Sequence, residues 1–170
     1  ASLMSSHLCY GIDGKSLAIV KDFLTGRTFR VRVGSKYSDV FTVSSGVPQG
    51  TVLGPLLFLL FINDLPDGIK SFVSLFADDL KLVTSTVNHE LAQADIDRLN
   101  DWEKEWLLKF NVKDGKCKVL HLGTKNPRHE YFMNGQRLPL VETEKDLGVH
   151  TTTDLKWSTH IEKAVYKAKS

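Results

Sequence analysis

"SFVSLFADDLKLV", residues 71–83, sets two adjacent carboxylates, Asp78 and Asp79, in the middle of a run whose pattern otherwise asks for core. Asp forms turns readily, because its side chain can hydrogen-bond nearby backbone and it tolerates unusual backbone angles. On that reading Val73–Ala77 and Leu80–Val83 are the strands of a hairpin, joined by a tight Asp-Asp connection. Whether the pair is only a turn depends on the blocks around it.

Upstream, "SSGVPQGTVLGP" (44–55) packs three Gly and two Pro into one short stretch. Such a density describes a loop whose backbone comes close to something, followed by a helix starting near Pro55. That helix, "PLLFLLFINDL" (55–65), is apolar on nearly every side until Asn63, which predicts a buried core helix. Earlier, "LAIVKDFL" (17–24) suits a short helix ended by Gly26. "RTFRVRVG" (27–34) then alternates, with Phe29, Val31 and Val33 on one face and Arg30 and Arg32 on the other. Gly34 and Ser35 turn the chain, and "YSDVFTV" (37–43) returns as a second strand. Basic residues crowd between Lys15 and Lys36, on a strand face that is either a phosphate-contacting patch or a charged edge that discourages aggregation.

Downstream, residues 88–110 repeat apolar side chains at Ala92, Ile96, Leu99, Trp102, Trp106 and Phe110, three or four apart, which predicts a long amphipathic helix with Asn88 as its N-cap. Asp95, Asp97, Asp101, Glu103 and Glu105 then read as a solvated acidic outer face. "CKVLHLG" (117–123) reads as a strand. "EYFMNGQRLPL" (130–140) is a hairpin around Asn134-Gly135, the strongest two-residue hairpin signal. "KDLGVHTTTDLKW" (145–157) offers a strand and a turn, and Thr159 with Glu162 forms a capping box for a final basic helix.

The chain has 170 residues, 42% of them hydrophobic and 25% charged, which is the size and composition of one soluble globular domain. Its net charge of +2 is too small to argue for nucleic acid by itself. Cys9 and Cys117 lie far apart and outside metal-ligand spacing, in keeping with a reduced, intracellular setting in nucleus or cytoplasm. The longest apolar run, Thr51 to Ile62, is too short to span a bilayer, which needs about 20 residues. The N-terminus lacks the pattern of a secretory signal, and the absence of Met at position 1 predicts a fragment.

Four ordered blocks, "SSGVPQGTVLGPLLFLLFINDLP" (44–66), "FADD" (76–79), "FNVKDGKCKVLHLG" (110–123) and "EKDLGVHTTTDLKWSTHI" (144–161), closely resemble reverse transcriptases of non-LTR (LINE-type) retrotransposons. The resemblance runs from about Leu8 to the end. It implies an α+β fold with a polymerase palm-like antiparallel sheet and helices packed on one face. It further implies a fingers-like hairpin, the start of a thumb helix, and a domain incomplete at its N-terminus. Residues 1–170 are then one reverse transcriptase domain fragment: a connecting helix and basic hairpin over 15–45, palm over 46–150, and the start of the thumb over 151–170.

By this resemblance "FADD" is the family's Tyr-X-Asp-Asp-type motif in a Phe-Ala form. Asp78 is then the main catalytic metal ligand and Asp79 a supporting one. Nucleotidyl transfer to a primer 3′ hydroxyl uses two Mg²⁺ ions about 3.5–4 Å apart, with Mn²⁺ as an alternative, and hard cations of this kind favour carboxylate oxygen. Gln49 and Gly50 match the loop lying against incoming nucleotide and template, and Phe76 and Ala77 match positions near the nucleotide and primer end. Lys116 matches the family's lysine near the triphosphate, although a longer separation from Asn111 than the family pattern leaves Lys113 as a competitor. Leu147-Gly148-Val149 resembles the primer-grip region. Arg27, Arg30, Arg32, Lys163 and Lys167 are candidate contacts to the nucleic-acid backbone.

The implied partners are an RNA template, a DNA primer and deoxynucleoside triphosphates, with no membrane. The parent protein would add an upstream fingers and palm segment and an optional endonuclease domain. One expected element is not found: the family's first catalytic Asp, at the end of an apolar strand, should precede this chain. Asp22 follows apolar residues but aligns with the helix before the arginine-rich hairpin, so it is not taken as a ligand. Two readings follow, a piece of a catalytic polymerase that is inactive in isolation, or a non-catalytic remnant that keeps the fold and binds nucleic acid.

Overall fold

The computed structural model describes residues 11–169 apart from Asp13, and not the side chain of Asp114; Cys9 and the start of the resemblance at Leu8 lie outside the described residues. The fold is α+β. Its helices are α1 (Gly14–Leu24), α2 (Leu53–Ile62), α3 (His89–Trp106) and α4 (Ser158–Lys169). The strands are β1 (Thr28–Phe29), β2 (Arg32–Val33), β3 (Lys36–Tyr37), β4 (Phe41–Thr42), β5 (Phe72–Phe76), β6 (Asp79–Val83), β7 (Val119–Leu120), β8 (Phe132–Met133), β9 (Gln136–Arg137), β10 (Leu140–Val141), β11 (Thr143–Asp146) and β12 (Val149–Thr152). Instead of one continuous antiparallel sheet, the strands pair among the described residues as six two-stranded ladders, β1–β4, β2–β3, β5–β6, β7–β10, β8–β9 and β11–β12. Most strands are only two residues long; β5 and β6 have five and β11 and β12 four. β7–β10 is parallel.

Two compact units are formed, one by the chain up to Asp67 together with Leu75–Asp79, the other by Gly68–Ser74 together with the chain from Leu80 onward. In the first unit α1 ends where Gly26 adopts a positive φ of 65°. The following ribbon is broken in the middle. Thr28 and Phe29 pair with Thr42 and Phe41, Arg32 and Val33 pair with Tyr37 and Lys36, and between them Val31 and Ser38 hydrogen-bond through backbone and hydroxyl. The core of this unit is Val20, Leu57, Phe61, Ile62 and Leu65.

α2 departs from the expectation of burial on all sides. Gly54, Leu57, Phe61 and Leu65, spaced three or four apart, face inward, while Leu56 and Leu59 are 51% and 53% exposed. The helix is apolar all round in sequence but is covered on one face only. It starts two residues before Pro55, which is tolerated because the first-turn N–H groups have no intrahelical partner anyway.

In the second unit Ala92, Ile96, Leu99 and Trp102 of α3 are buried with Tyr131, Met133 and Leu138, and α3 packs on β8. Gln93 seals this contact like a strand edge: its amide nitrogen donates to the Phe132 carbonyl at 2.8 Å and its amide oxygen accepts from the Phe132 N–H at 2.9 Å. The Asn134-Gly135 hairpin forms as expected, with φ of 51° and 72° at the two turn residues, the signature of a type I′ turn. Asn88 stands at the N-cap position of α3 without a side-chain capping bond, and the helix stops at Trp106 because Leu107 turns left-handed at φ 58°. Phe110 still reaches the Trp102 ring, 6.3 Å between centres. α4 begins at Ser158, so Thr159 lies inside the first turn and the expected capping box is displaced.

The acidic face of α3 is also corrected. Asp95 is buried at 3% exposure and Glu103 accepts a hydrogen bond from Asn134 Nδ2 at 2.8 Å, so neither is a merely solvated charge. No helix among the described residues is long and apolar enough to cross a membrane.

Candidate active site

The β5–β6 hairpin forms, but its turn residues are Ala77 and Asp78, one position earlier than an Asp-Asp connection, and Asp79 opens β6. Val73 and Leu75 on β5, and Leu80 and Leu82 on β6, are all half-buried and share the covered face, an arrangement that either turn position would keep, because moving a two-residue turn by one position shifts the pairing by two. Ala77 takes a positive φ of 51° and Asp78 does not, the pattern of a II′ turn, which favours Gly at that first position. Ala there stores strain at the tip of the hairpin.

Phe76, Ala77, Asp78 and Asp79 are all exposed, Asp78 in the turn and Asp79 at the first position of β6. The donor chemistry, hard anionic oxygen with room for solvent or phosphate oxygen, suits a divalent cation such as Mg²⁺. Among the described residues no three His, Cys, Asp or Glu side chains converge as a metal-holding group. Asp22, on α1, is exposed and joins no such group.

The tip belongs to the same compact unit as the loop carrying Gln49 and Gly50, both exposed. Gly50 has a positive φ of 76°, which favours glycine, and nothing stands within 4 Å of where a β-carbon would be. Thr51 closes the loop onto α2: its hydroxyl donates to the Pro48 carbonyl at 2.8 Å and accepts from the Gly54 N–H at 3.1 Å. A β-carbon at Gly54 would stand 2.6 Å from the Pro48 carbonyl oxygen, so the close approach foreseen for this Gly-rich stretch is loop against helix. Phe23, Phe29, Val47, Pro48 and Gln49 help line an open cleft of about 710 Å³ beside the loop.

The arginines of the basic ribbon divide by environment. Arg30 lies 4.1 Å and Arg32 5.6 Å from the centre of the Tyr37 ring, on exposed ribbon, and Arg32 also donates to the Gly34 carbonyl. Arg27 differs, being partly buried and bonded to carbonyls of Leu24, Ser45 and Gly46. Its Nε and Nη2 thus donate within the chain, unlike the side chain of Arg30 on the exposed ribbon.

In the second unit Lys113 and Lys116 are both exposed on one turn, closed by the Cys117 N–H to the Asn111 carbonyl at 3.3 Å. The turn resembling the primer grip is the tip of β11–β12, with Leu147 and Gly148 at φ 47° and 89°. Asp146, beside that tip, forms an ion pair with Lys81 of β6. On the neighbouring α4, Lys163 Nζ lies 3.4 Å from His150 Nδ1, while the His150 N–H donates to His160 Nδ1 at 3.3 Å. Desolvation and the charges of Lys163, Lys145 and His160 push the His150 imidazole below its ordinary value, against the opposing pull of Glu144. Lys167 lies further along α4, exposed.

Sequence reasoning missed Asp95, which holds the backbone ahead of β5 through the N–H groups of Lys70 and Ser71. Its helical phase gave the signal: position 95 falls between Ala92 and Leu99 on the inward face.

Residues 4–158 match the family described as "Reverse transcriptase (RNA-dependent DNA polymerase)". Among curated proteins of Drosophila melanogaster, the chain is 32% identical over 152 residues to "Probable RNA-directed DNA polymerase from transposon X-element" and 33% identical over 156 residues to "Probable RNA-directed DNA polymerase from transposon BS". It is 30% identical over 156 residues to "RNA-directed DNA polymerase from mobile element jockey". Each alignment covers 84% of this chain and 17% of the relative, so the chain spans about one sixth of the length of these proteins. No solved structure matches the chain. An exposed pair of carboxylates on a tight hairpin, a Gly-rich loop locked onto an apolar helix, and this span of similarity lead to one assignment: the chain belongs to the reverse transcriptase family.

Proposed function

We propose that this chain is the palm-centred part of an RNA-directed DNA polymerase of a non-LTR retrotransposon, adding deoxynucleotides to a DNA primer 3′ hydroxyl along an RNA template. The observation that carries this reading is the II′-like turn at Ala77-Asp78, which puts two exposed carboxylates at the apex of a short hairpin. Asp78 is the main ligand and Asp79 the supporting ligand for Mg²⁺ or Mn²⁺. Bound there, the metal supplies activation of the attacking hydroxyl and charge neutralisation on the leaving pyrophosphate.

The chain's own residues do the rest. Phe76 and Ala77 border the primer end and nucleotide. Gln49 and Gly50 lie against the nucleotide and template base, with Gly50 leaving room for close approach. Lys116 or Lys113 donates a proton or positive charge toward the triphosphate. Arg30, Arg32, Lys163 and Lys167 meet nucleic-acid phosphates, on surfaces where exposure permits it. The two compact units are parts of one domain in this reading, and the full polymerase works inside the cell.

The test is Asp78→Asn in the parent polymerase. A neutral amide is a poor ligand for Mg²⁺, so primer extension is expected to fall to near background while primer–template binding persists. Near wild-type extension would make Asp78 a turn residue only. With two carboxylates as its contribution to the ligand set, the 170-residue chain alone is expected not to extend a primer. Template-dependent, Mg²⁺-dependent synthesis by it would overturn that expectation.

A further inference from the structure

Arg27 sits where the end of α1, the start of β1 and the Gly-rich loop meet. Its Nε donates to the Leu24 carbonyl at 2.9 Å, and its Nη2 donates to the carbonyls of Ser45 at 3.2 Å and Gly46 at 2.6 Å. Its own carbonyl accepts from the Val43 N–H at 2.9 Å, continuing the β1–β4 ladder to the edge of the loop. Backbone and side chain of one residue therefore hold both the strand leaving the ribbon and the first residues of the loop. At the other end Thr51 ties Pro48 to Gly54. Between these two clamps lie Val47, Pro48, Gln49 and Gly50, and Arg27, Val47, Pro48 and Gln49 share the wall of one cleft.

We infer that Arg27 is a positioning residue for the Gly-Val-Pro-Gln-Gly loop, fixing Gln49 and Gly50 for the incoming nucleotide and the template rather than contacting phosphate. The reading of Gln49 as a nucleotide-side residue rests on the proposed function; the clamp itself rests on the hydrogen bonds. A planar guanidinium can reach carbonyls from two segments at once. An ammonium is a single point of charge and cannot span them in the same way, so lysine is not a conservative replacement here.

The experiment uses the parent polymerase with Arg27→Lys and Arg27→Gln, and Gln49→Ala beside them. Amide hydrogen exchange over residues 44–50, without nucleic acid or nucleotide, is expected to speed up in both Arg27 variants. The KM for deoxynucleotide should rise on the order of tenfold, the scale of a slightly misplaced contact, with primer–template affinity and its salt dependence unchanged. Arg27→Lys should not rescue. If loop exchange stays at the wild-type rate, or if Arg27→Lys restores activity while Arg27→Gln lowers the salt slope of nucleic-acid binding by about one, Arg27 is a phosphate contact and the inference fails. Faster loop exchange with unchanged KM in the Gln49→Ala enzyme keeps the clamp and removes the nucleotide-side reading of Gln49. The two failures are therefore told apart.

Discussion

Asp95 and Ser71 meet across the second unit, the buried carboxylate accepting the Ser71 N–H at 2.8 Å and, through its other oxygen, the Lys70 N–H at 3.0 Å. These are the last residues before β5, so α3 sets where the strand toward Asp78 begins. Replacing Asp95 by Ala orphans two backbone donors beside a buried site. Hydrogen bonds to a charged group are worth about 1.5–3 kcal/mol each, so Asp95→Ala should cost on the order of 3 kcal/mol. Urea denaturation of the chain measures it, and a loss below about 0.5 kcal/mol would mean that water replaces the carboxylate at little cost.

The same carboxylate makes stability depend on pH. Burial opposes its charge, but hydrogen bonding from Ser71 and Lys70 overrides burial and holds the Asp95 carboxyl below its ordinary value. A depressed carboxyl stabilises the fold fully above its unfolded value of about 3.9, and that stability is lost as pH falls through the folded value. His121 acts in the same direction at higher pH. Desolvation lowers it, a hydrogen bond with the His129 backbone pulls the other way, and the charges of Arg128 and His129 lower it further. Its contribution is whole above the unfolded value of about 6.5 and declines as pH drops toward the folded one. The urea midpoint should therefore fall in two steps on acidification. His121→Phe should flatten the near-neutral step and Asp95→Asn the acidic one; a profile unchanged by both would assign the pH dependence to other groups.

Gly54 gives a steric prediction. Its missing β-carbon is what lets the Pro48 carbonyl come within 2.6 Å of the position that carbon would take, and both partners are backbone or close to it. Gly54→Ala must move the loop or the first turn of α2, at a cost of about 1–3 kcal/mol typical of overpacking. Gly50→Ala has open space but a φ of 76°, so it is expected to strain the backbone without a clash. Thermal unfolding of the two variants separates the effects: steric displacement should expose the Thr51–Pro48 turn to hydrogen exchange in Gly54→Ala and leave it protected in Gly50→Ala.

Local signals were legible where one residue type has one physical use. Asn134-Gly135 gave its hairpin because both positions need positive φ, and Gly26 gave the end of α1. The α3 stripe gave its helix because the inward residues follow the 3.6-residue period. What could not be read is what depends on a distant partner. Leu56 and Leu59 look identical to Leu57 in a list of apolar residues, yet only Leu57 is covered. Arg27 and Arg30 look alike in a basic run, and only the position of the Ser45 and Gly46 carbonyls separates a clamp from a surface charge. The hairpin around Asp78 and Asp79 was legible in the sequence, and its turn was mistaken by one position, because either placement leaves the apolar residues of both strands on one face and the pattern cannot choose between them.

Ala77 carries the last test, since it occupies left-handed backbone at the apex, with φ 51°. For an L-residue with a β-carbon that conformation costs roughly 1–2 kcal/mol, and Gly adopts it freely. Ala77→Gly should therefore raise the stability of the hairpin by up to about 1 kcal/mol, offset by the greater freedom glycine has when unfolded. Ala77→Val should lower it, because a β-branched side chain at positive φ is a genuine outlier. Hydrogen exchange of the β5–β6 amides, compared across Ala, Gly and Val, reads the local effect directly. The ordering Gly, Ala, Val from most to least protected supports a strained turn that sets the direction of Asp78 and Asp79. Equal protection in all three would mean that the tip relaxes to another turn and that Ala77 does not hold the two carboxylates where they are.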